Sequence, residues 1–86
     1  MIYGLYAVRD VKTGFMTPTM DVNDQTAVRN FFHAVRNSEG ILFSYAQDFD
    51  LYHIADFDSD SGAVTPLVPV VFVAHGSDAL AELNKE

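Results

Sequence analysis

The sequence predicts a small α+β domain, in which a small antiparallel sheet of two hairpins flanks one amphipathic helix. Two observations support this fold class. The spacing Asp-x-x-[Ser/Thr]-Gly occurs twice, each time between strand-forming runs, and the apolar residues between the two turns recur at helical spacing. The predicted order is ββαββ plus a C-terminal strand or arm. Residues 1–76 form a single α+β domain in this prediction, and residues 77–86 form a C-terminal tail or short helix.

The first hairpin is predicted from a strand-forming run, residues 2–9, that stops at a turn and resumes at Phe15. Asp10 opens the turn, where its carboxylate can accept hydrogen bonds from backbone N–H groups ahead of it. Gly14 tolerates the positive φ that the exit of such a turn requires. Pro18 cannot donate a backbone hydrogen bond, so we expect the second strand to be short or to lie at an edge.

An amphipathic helix is predicted over residues 23–37, because apolar side chains recur there at spacings of three and four. Asp21 or Asn23 can cap its N-terminus, and Gly40 lies just beyond its expected end. The following residues, 41–47, have no clear periodicity. The apolar positions of the helix are Ala27, Val28, Phe31, Phe32 and Val35.

The second hairpin is predicted from the alternating residues 50–57, the turn from Asp58 to Gly62, and the strand-forming residues that follow. Strict alternation would divide the first of these strands into two faces. One face would carry Leu51, His53, Ala55 and Phe57, and the other Tyr52, Ile54 and Asp56.

The most hydrophobic run of the chain, residues 68–73, is predicted to be a strand at the edge of the sheet or an extended arm. Pro66 and Pro69 exclude it from a central position. An unpaired apolar strand favours association, so we expect a second subunit to cover this run and the protein to be a homodimer. Beyond it, Ser77 and Glu82 could cap a short helix whose end is expected to fray.

The composition limits the functions that the protein can have. Among 86 residues, twelve acidic and five basic side chains give a formal charge of −7, which repels nucleic-acid phosphates and anionic membranes at long range. The absence of cysteine excludes disulfides, thiolate nucleophiles and cysteine-based zinc sites. No run approaches the roughly 20 apolar residues of a membrane span, and no signal-peptide pattern opens the chain. We therefore expect a soluble, cytosolic protein without membrane contact.

An alternating acidic run in the second turn has some features of a calcium-binding loop. Gly62, however, falls one position later than the glycine of an EF-hand, and Leu67 stands where that loop needs a bidentate glutamate. We therefore predict a solvated hairpin turn and no metal site. The acidic residues concerned are Asp56, Asp58 and Asp60.

The residue types that commonly carry catalysis are scattered through the chain. His33, His53 and His75 lie too far apart for a local ligand motif, no serine has the context of a nucleophile elbow, and there is no phosphate-binding glycine loop. We expect the protein not to be an enzyme and to need no cofactor.

Nucleic-acid binding is the chemistry for which the sequence offers candidate residues. Three basic side chains on the polar side of the predicted helix could contact phosphates or an acidic partner; the alternative is a solvated face that pairs with the acidic hairpin. Tyrosines on an open sheet face could stack on unpaired bases, although such residues more often form a core or an interface. The candidates are Arg9, Lys12, Arg29, His33, Arg36, Tyr3, Tyr6 and Tyr52.

Three spaced blocks carry a resemblance to a known family. They are Asp10-x-Lys12-x-x-Phe15-x-x-Pro18, Ala27-Val-Arg29-x-Phe31-x-x-x-Val35 and Asp48-Phe-x-Leu51-Tyr-x-Ile54-Ala-x-Phe57-Asp58-x-x-Ser61-Gly62. Together they resemble the small nonstructural protein of gokushoviruses, which are tailless single-stranded DNA phages of the Microviridae. Two departures are Ala46, where the family has proline, and Ala55, where it has glycine.

The resemblance implies an early protein of the cytoplasm of the infected bacterial host that is not part of the virion. It implies a role in viral DNA replication, single-strand synthesis or packaging, and it assigns no catalytic residues. Two interpretations follow. In the preferred one, the protein is a dimeric adaptor that binds viral replication or packaging proteins, as the acidic charge favours. In the other, it binds single-stranded DNA directly.

Overall fold

In the computed structural model, which describes residues 1–83, one antiparallel sheet carries helices on one face. The sheet is built from β1 (Ile2–Asp10), β2 (Gly14–Phe15), β3 (Thr19–Asp21), β4 (Phe49–Asp58) and β5 (Val64–His75). The helices are α1 (Asp24–Arg36), α2 (Ile41–Ser44) and α3 (Gly76–Leu83), and a 3-10 turn spans Ala46–Asp48. None of the described helices is long and apolar enough to cross a membrane.

The two hairpins join into a single sheet because β1 pairs with β4 along its whole length. On the other side of β1, β2 pairs with its C-terminal end and β3 with its N-terminal half, while β5 pairs with β4 and forms the opposite edge. The α+β class and the antiparallel sheet are confirmed. The ββαββ arrangement of two hairpins flanking a helix is wrong, because the pairing of β1 with β4 depends on contacts between distant residues that no local pattern reveals.

Both glycine-containing turns have the predicted chemistry. The carboxylate of Asp10 accepts a hydrogen bond from the backbone N–H of Lys12 at 2.9 Å, and Asp58 accepts one from the N–H of Asp60 at 2.9 Å. Gly14 and Gly62 have φ values of 110° and 78°, which side chains other than glycine rarely adopt. The same local bonds therefore form both turns.

Helix α1 contributes four of the ten buried core residues, and its apolar spacing predicts all four. Its cap is Asn23, whose side chain accepts a hydrogen bond from the N–H of Thr26 at 2.8 Å. The C-cap of the helix is Asn37 instead of a glycine, and Gly40 is the N-cap of α2. The buried core joins α1 to β1, β4, β5, the 3-10 turn and α3. Its residues are Tyr6, Ala27, Phe31, Phe32, Val35, Ala46, Phe49, Leu51, Ala74 and Ala79.

A bulge at Ile54 changes which side chains of β4 share a face. Leu5 pairs with Ala55, but the next residue of β1, Tyr6, pairs with His53, so Ile54 is an extra residue in β4. Leu51 and His53 lie on the helix side, whereas Ala55 and Phe57 turn to the opposite side and Asp56 turns to the helix side. The faces expected from strict alternation are therefore wrong beyond the bulge.

The edge position predicted for the apolar run is confirmed in β5. Because His53 pairs with Val71 and Ala55 pairs with Pro66, residues 67–70 bulge outward opposite a single residue of β4. Val68 in this bulge is 90% exposed.

The described part of the C-terminal segment is a helix that packs on the core. It begins at Gly76, where a Cβ atom would lie 2.5 Å from the carbonyl oxygen of Ala46 and 2.7 Å from that of Phe49. Ser77, the predicted cap, therefore lies inside the first turn. The rest of the predicted tail, residues 84–86, and the side chain of Glu82 lie outside the described residues.

Candidate functional site

The sheet face opposite the helices presents a row of aromatic rings. The ring centroids of Phe15 and Tyr52 lie 5.5 Å apart, and those of Tyr52 and Phe72 lie 5.8 Å apart, both in edge-to-face geometry. The ring of His75 packs on Phe72 with a centroid distance of 4.5 Å. Arg9 pairs with Phe15 across the β1–β2 ladder and lies on the same face. We call this surface, formed by Arg9, Phe15, Tyr52, Phe72 and His75, the open face.

The acidic side chains of the strands avoid the open face. Asp10 and Asp21 turn to the helix side, where Asp10 is buried and Asp21 accepts a hydrogen bond from the Asn30 side chain of α1. Alternation along β4 places Asp56 and Asp58 on that side as well. Of the five strand aspartates, Asp50 remains on the open face, with Oδ1 2.9 Å from Nδ1 of His75.

A polar cleft lies on the helix side, between β1, β4 and the start of α1. The hydroxyl of Tyr6 donates a hydrogen bond to Asp24 at 2.5 Å, and the ring of His53 stacks on Tyr6 with a centroid distance of 4.7 Å. Nε2 of His53 lies 2.9 Å from Asp56, and its Nδ1 lies 3.8 Å from Asp24. Both ring nitrogens of this histidine therefore face carboxylates.

Burial raises the pKa of Tyr6 far above its ordinary value of 10. The hydrogen bond to Asp24 and the charges of Asp24, Asp21 and Asp56 raise this pKa further, since each carboxylate disfavours a phenolate beside it. The phenol is thus held in its neutral form, which is the opposite of what activates a nucleophile or a general base.

The predicted basic stripe of α1 (Arg29, His33 and Arg36) lies on the other side of the molecule from the open face. Arg29 and His33 are exposed there. Arg36 is half-buried, donates a hydrogen bond from Nε to the carbonyl oxygen of Ala79 at 2.9 Å, and lies over the ring of Phe32 at 5.6 Å. Arg36 therefore connects α1 to α3.

The predicted nucleic-acid-binding residues do not form one site. Arg9 and Tyr52 both lie on the open face, and alternation places the half-buried Tyr3 on the same face. Tyr6 is only 2% exposed and lies under α1, so it presents no surface on which a base could stack. Lys12 lies in the first turn.

Sequence reasoning did not identify three residues of the open face. Phe15 could have been identified, because a tight turn closed by Gly14 pairs it with Arg9. Phe72 and His75 have no such signal. The bulge in β5 adds residues between the second turn and these two, so counting back from the turn does not predict that they pair with Tyr52 and Asp50. Within residues 1–83, no three side chains of His, Asp or Glu converge to hold a metal ion.

Comparison with known proteins places the chain in a family. No curated protein and no solved structure matches the chain significantly. Residues 3–79 match the family model described as Phage ORF5 protein, and these residues include β1 apart from Ile2, the other four strands, α1, α2 and the start of α3. The expectation of a small phage protein is confirmed at this level, and the chain belongs to the Phage ORF5 protein family.

Proposed function

We propose that this phage protein is a non-enzymatic, homodimeric adaptor that acts in viral DNA replication, single-strand synthesis or packaging. In this proposal it binds viral replication or packaging proteins in the cytoplasm of the infected bacterial host and is not part of the virion. Its family membership supports a phage role. The three sequence blocks that resemble the gokushovirus nonstructural protein support the narrower assignment to Microviridae.

The outer edge of β5 is the feature that supports the proposed homodimer. This strand has twelve residues and pairs with β4 on one side, and the described residues supply no strand for its other side. Its exposed apolar side chains are Val64, Val68, Val70, Val71 and Phe72. This edge is rich in exposed valine and carries no lysine or arginine. Pro66, Pro69 and the bulge of residues 67–70 interrupt its backbone ladder, so in this proposal a second copy of β5 pairs antiparallel with residues 71–75 about a two-fold axis and covers the exposed valines of the bulge.

Two observations favour binding over catalysis. The pKa of Tyr6 is raised, which keeps its phenol neutral, and both ring nitrogens of His53 are directed toward Asp24 and Asp56. This cleft therefore resembles a set of satisfied structural contacts more than a site with a free base or nucleophile. The acidic turn between β4 and β5 offers a charged surface to a basic protein partner.

The oligomeric state tests the dimer. Light scattering should give the mass of two chains, and Val68→Lys should give the mass of one, because a charged side chain at this exposed valine opposes its burial against a second copy. Val11→Lys, at an exposed valine in the first turn, is the matched control and should remain dimeric. A wild-type mass of one chain overturns the dimer, and a dimeric Val68→Lys protein overturns the β5 interface.

The adaptor role is tested with the purified replication-initiation and packaging proteins of the same phage. Isothermal titration should detect binding to at least one of them, and substitution of Asp58 and Asp60 by Asn should weaken that binding, because it removes charge from the acidic turn. Absence of heat with every one of these proteins, at concentrations where the chain is dimeric, overturns the adaptor role.

Direct binding of single-stranded DNA is the second candidate function. The binding site expected from the sequence combines the basic stripe of α1 with Tyr3, Tyr6 and Tyr52. Arg29 and His33, however, lie on the far side of the sheet from Tyr52, so a single strand could not contact all of them at once.

A further inference from the structure

The open face is unlike the rest of this acidic molecule. It joins three aromatic rings to Arg9, and the one strand aspartate there, Asp50, is paired with His75. The guanidinium of Arg9 is exposed and makes no hydrogen bond or ion pair with another residue of the described part of the chain. Arg9 lies directly opposite Asp50 in the β1–β4 ladder, so the open face carries one cation and one carboxylate and is close to neutral, unlike the acidic remainder of the molecule. It therefore combines an exposed guanidinium without an ion-pair partner among the described residues with exposed aromatic surface.

We propose that the open face binds single-stranded nucleic acid, with bases stacking on Tyr52, Phe72 and Phe15 and with Arg9 contacting a phosphate. Phe15 and Phe72 are 49% and 44% exposed, so each leaves ring surface for a base. Unpaired bases expose their π-faces, whereas a duplex hides them, and stacking on aromatic side chains tolerates any sequence. This site rests on the second candidate function, to which it gives a location and a set of residues, and it does not depend on the adaptor role.

The charge distribution favours a polyanion here over an acidic or strongly basic protein. The remaining carboxylates of the strands lie on the helix side, where they repel phosphates. A nucleic acid therefore meets the least electrostatic repulsion when it approaches the open face. A basic protein would instead find its complement on the acidic side of the molecule. Few cations line the open face, so binding must depend on stacking more than on phosphate contacts.

Pairing of two β5 strands would leave this site accessible. Strand pairing uses backbone groups at the edge, while Tyr52 and Phe72 project from the face of the sheet. A dimer would therefore bring two open faces side by side, and a strand long enough to span both would bind more tightly than one that spans a single face.

The test is fluorescence anisotropy with a labelled oligothymidylate of about 20 nucleotides, at about 50 mM salt. The wild-type protein should bind it, unlabelled single-stranded RNA should compete because it offers the same bases and phosphates, and duplex DNA should compete poorly. Phe72→Ala and Tyr52→Ala should each weaken binding about tenfold, whereas Tyr52→Phe, which keeps the ring, should bind almost normally.

Arg9→Gln should reduce the slope of log K against log salt by about 0.7, the contribution of one phosphate contact on a single strand. Arg29→Gln is the matched control, because Arg29 is equally exposed but lies on α1. Circular dichroism of each variant confirms that the fold is retained, and light scattering reports dimer formation separately, so that failure of one proposal does not decide the other.

Three results would overturn the proposal. One is the absence of any binding at low salt, which would leave a protein surface as the occupant of the open face. The second is equal binding of duplex and single-stranded DNA, because stacking requires unpaired bases. The third is equal weakening by Arg29→Gln and Arg9→Gln, which would move the contact to α1.

Discussion

The phenol of Tyr6 occupies the place where β1, β4 and α1 meet. Its ring is part of the buried core, and its hydroxyl reaches Asp24 in the first turn of α1. A tyrosine in this position provides apolar area to the core and a hydrogen bond to the helix from the same side chain. Tyr6 is therefore a structural residue, although its type and its strand position resemble those of Tyr52.

The raised pKa of Tyr6 predicts a loss of stability at alkaline pH. Below about pH 10 the phenol is protonated in both states and contributes no pH dependence. Above that, the unfolded chain releases the proton first, so the free energy of unfolding falls by about 1.4 kcal/mol per pH unit from this group. Urea unfolding between about pH 8 and 11 should show this fall in the wild type and a smaller one in Tyr6→Phe.

Tyr45→Phe serves as the control for that comparison, because Tyr45 is exposed on the surface near α2. This variant should keep the alkaline fall of the wild type. Equal pH dependence in Tyr6→Phe and the wild type would contradict the proposed cause.

Helix α3 accepts a hydrogen bond from Arg36, a basic side chain that the sequence suggested for binding phosphates or an acidic partner. Arg36 lies in the last turn of α1, and its Nε–H group donates to Ala79 in the middle of α3, whose side chain is fully buried. The close approach of Gly76 to the backbone at Ala46 and Phe49 fixes the start of the same helix. Arg36 and Gly76 together determine where α3 packs.

Replacing Arg36 should therefore affect stability more than binding. Arg36→Ala is expected to lower the free energy of unfolding by about 1–2 kcal/mol, since a hydrogen bond from a charged group is lost from a half-buried site. Hydrogen exchange should become faster in the amides of α3. Arg29→Ala, on the exposed side of the same helix, should change stability by less than about 0.5 kcal/mol. Equal effects of the two substitutions would exclude the proposed contact with α3.

At the scale of the whole molecule, charge and apolar surface are distributed unevenly. The formal charge of −7 is carried mainly by the turns, the helix side and the helices, whereas the open face and the edge of β5 are rich in exposed apolar side chains. Two surfaces are thus available for association, and the repulsion between acidic subunits opposes the use of either.

This distribution predicts opposite salt dependences for the two proposed associations. Added salt screens the repulsion between two chains, so the dimerisation constant should rise between about 20 mM and 500 mM salt, whereas oligonucleotide binding should weaken. Sedimentation equilibrium measures the first and anisotropy the second. A dimerisation constant that falls with salt would indicate an interface of ion pairs instead of the apolar β5 edge.

Local patterns predicted much of the fold and little of the site. The two turns follow from Asp and Gly at fixed positions, and α1 follows from its apolar spacing, since both depend on residues close together in the chain. Arg9 and Tyr52 were among the predicted binding residues. Nothing local distinguished them from Tyr6, which is buried, or from Arg36, which is bonded to α3.

The sequence by itself determined the α+β class, the turns with their glycines, the extent of α1, the edge position of β5 and the acidic charge. Tertiary structure alone decided the pairing of β1 with β4, the bulges in β4 and β5, and therefore which side chains share the open face. The physical reason is that strand alternation has a period of two, so a single extra residue moves every later side chain to the other face. Where such a residue is inserted depends on contacts between strands that lie far apart in the chain.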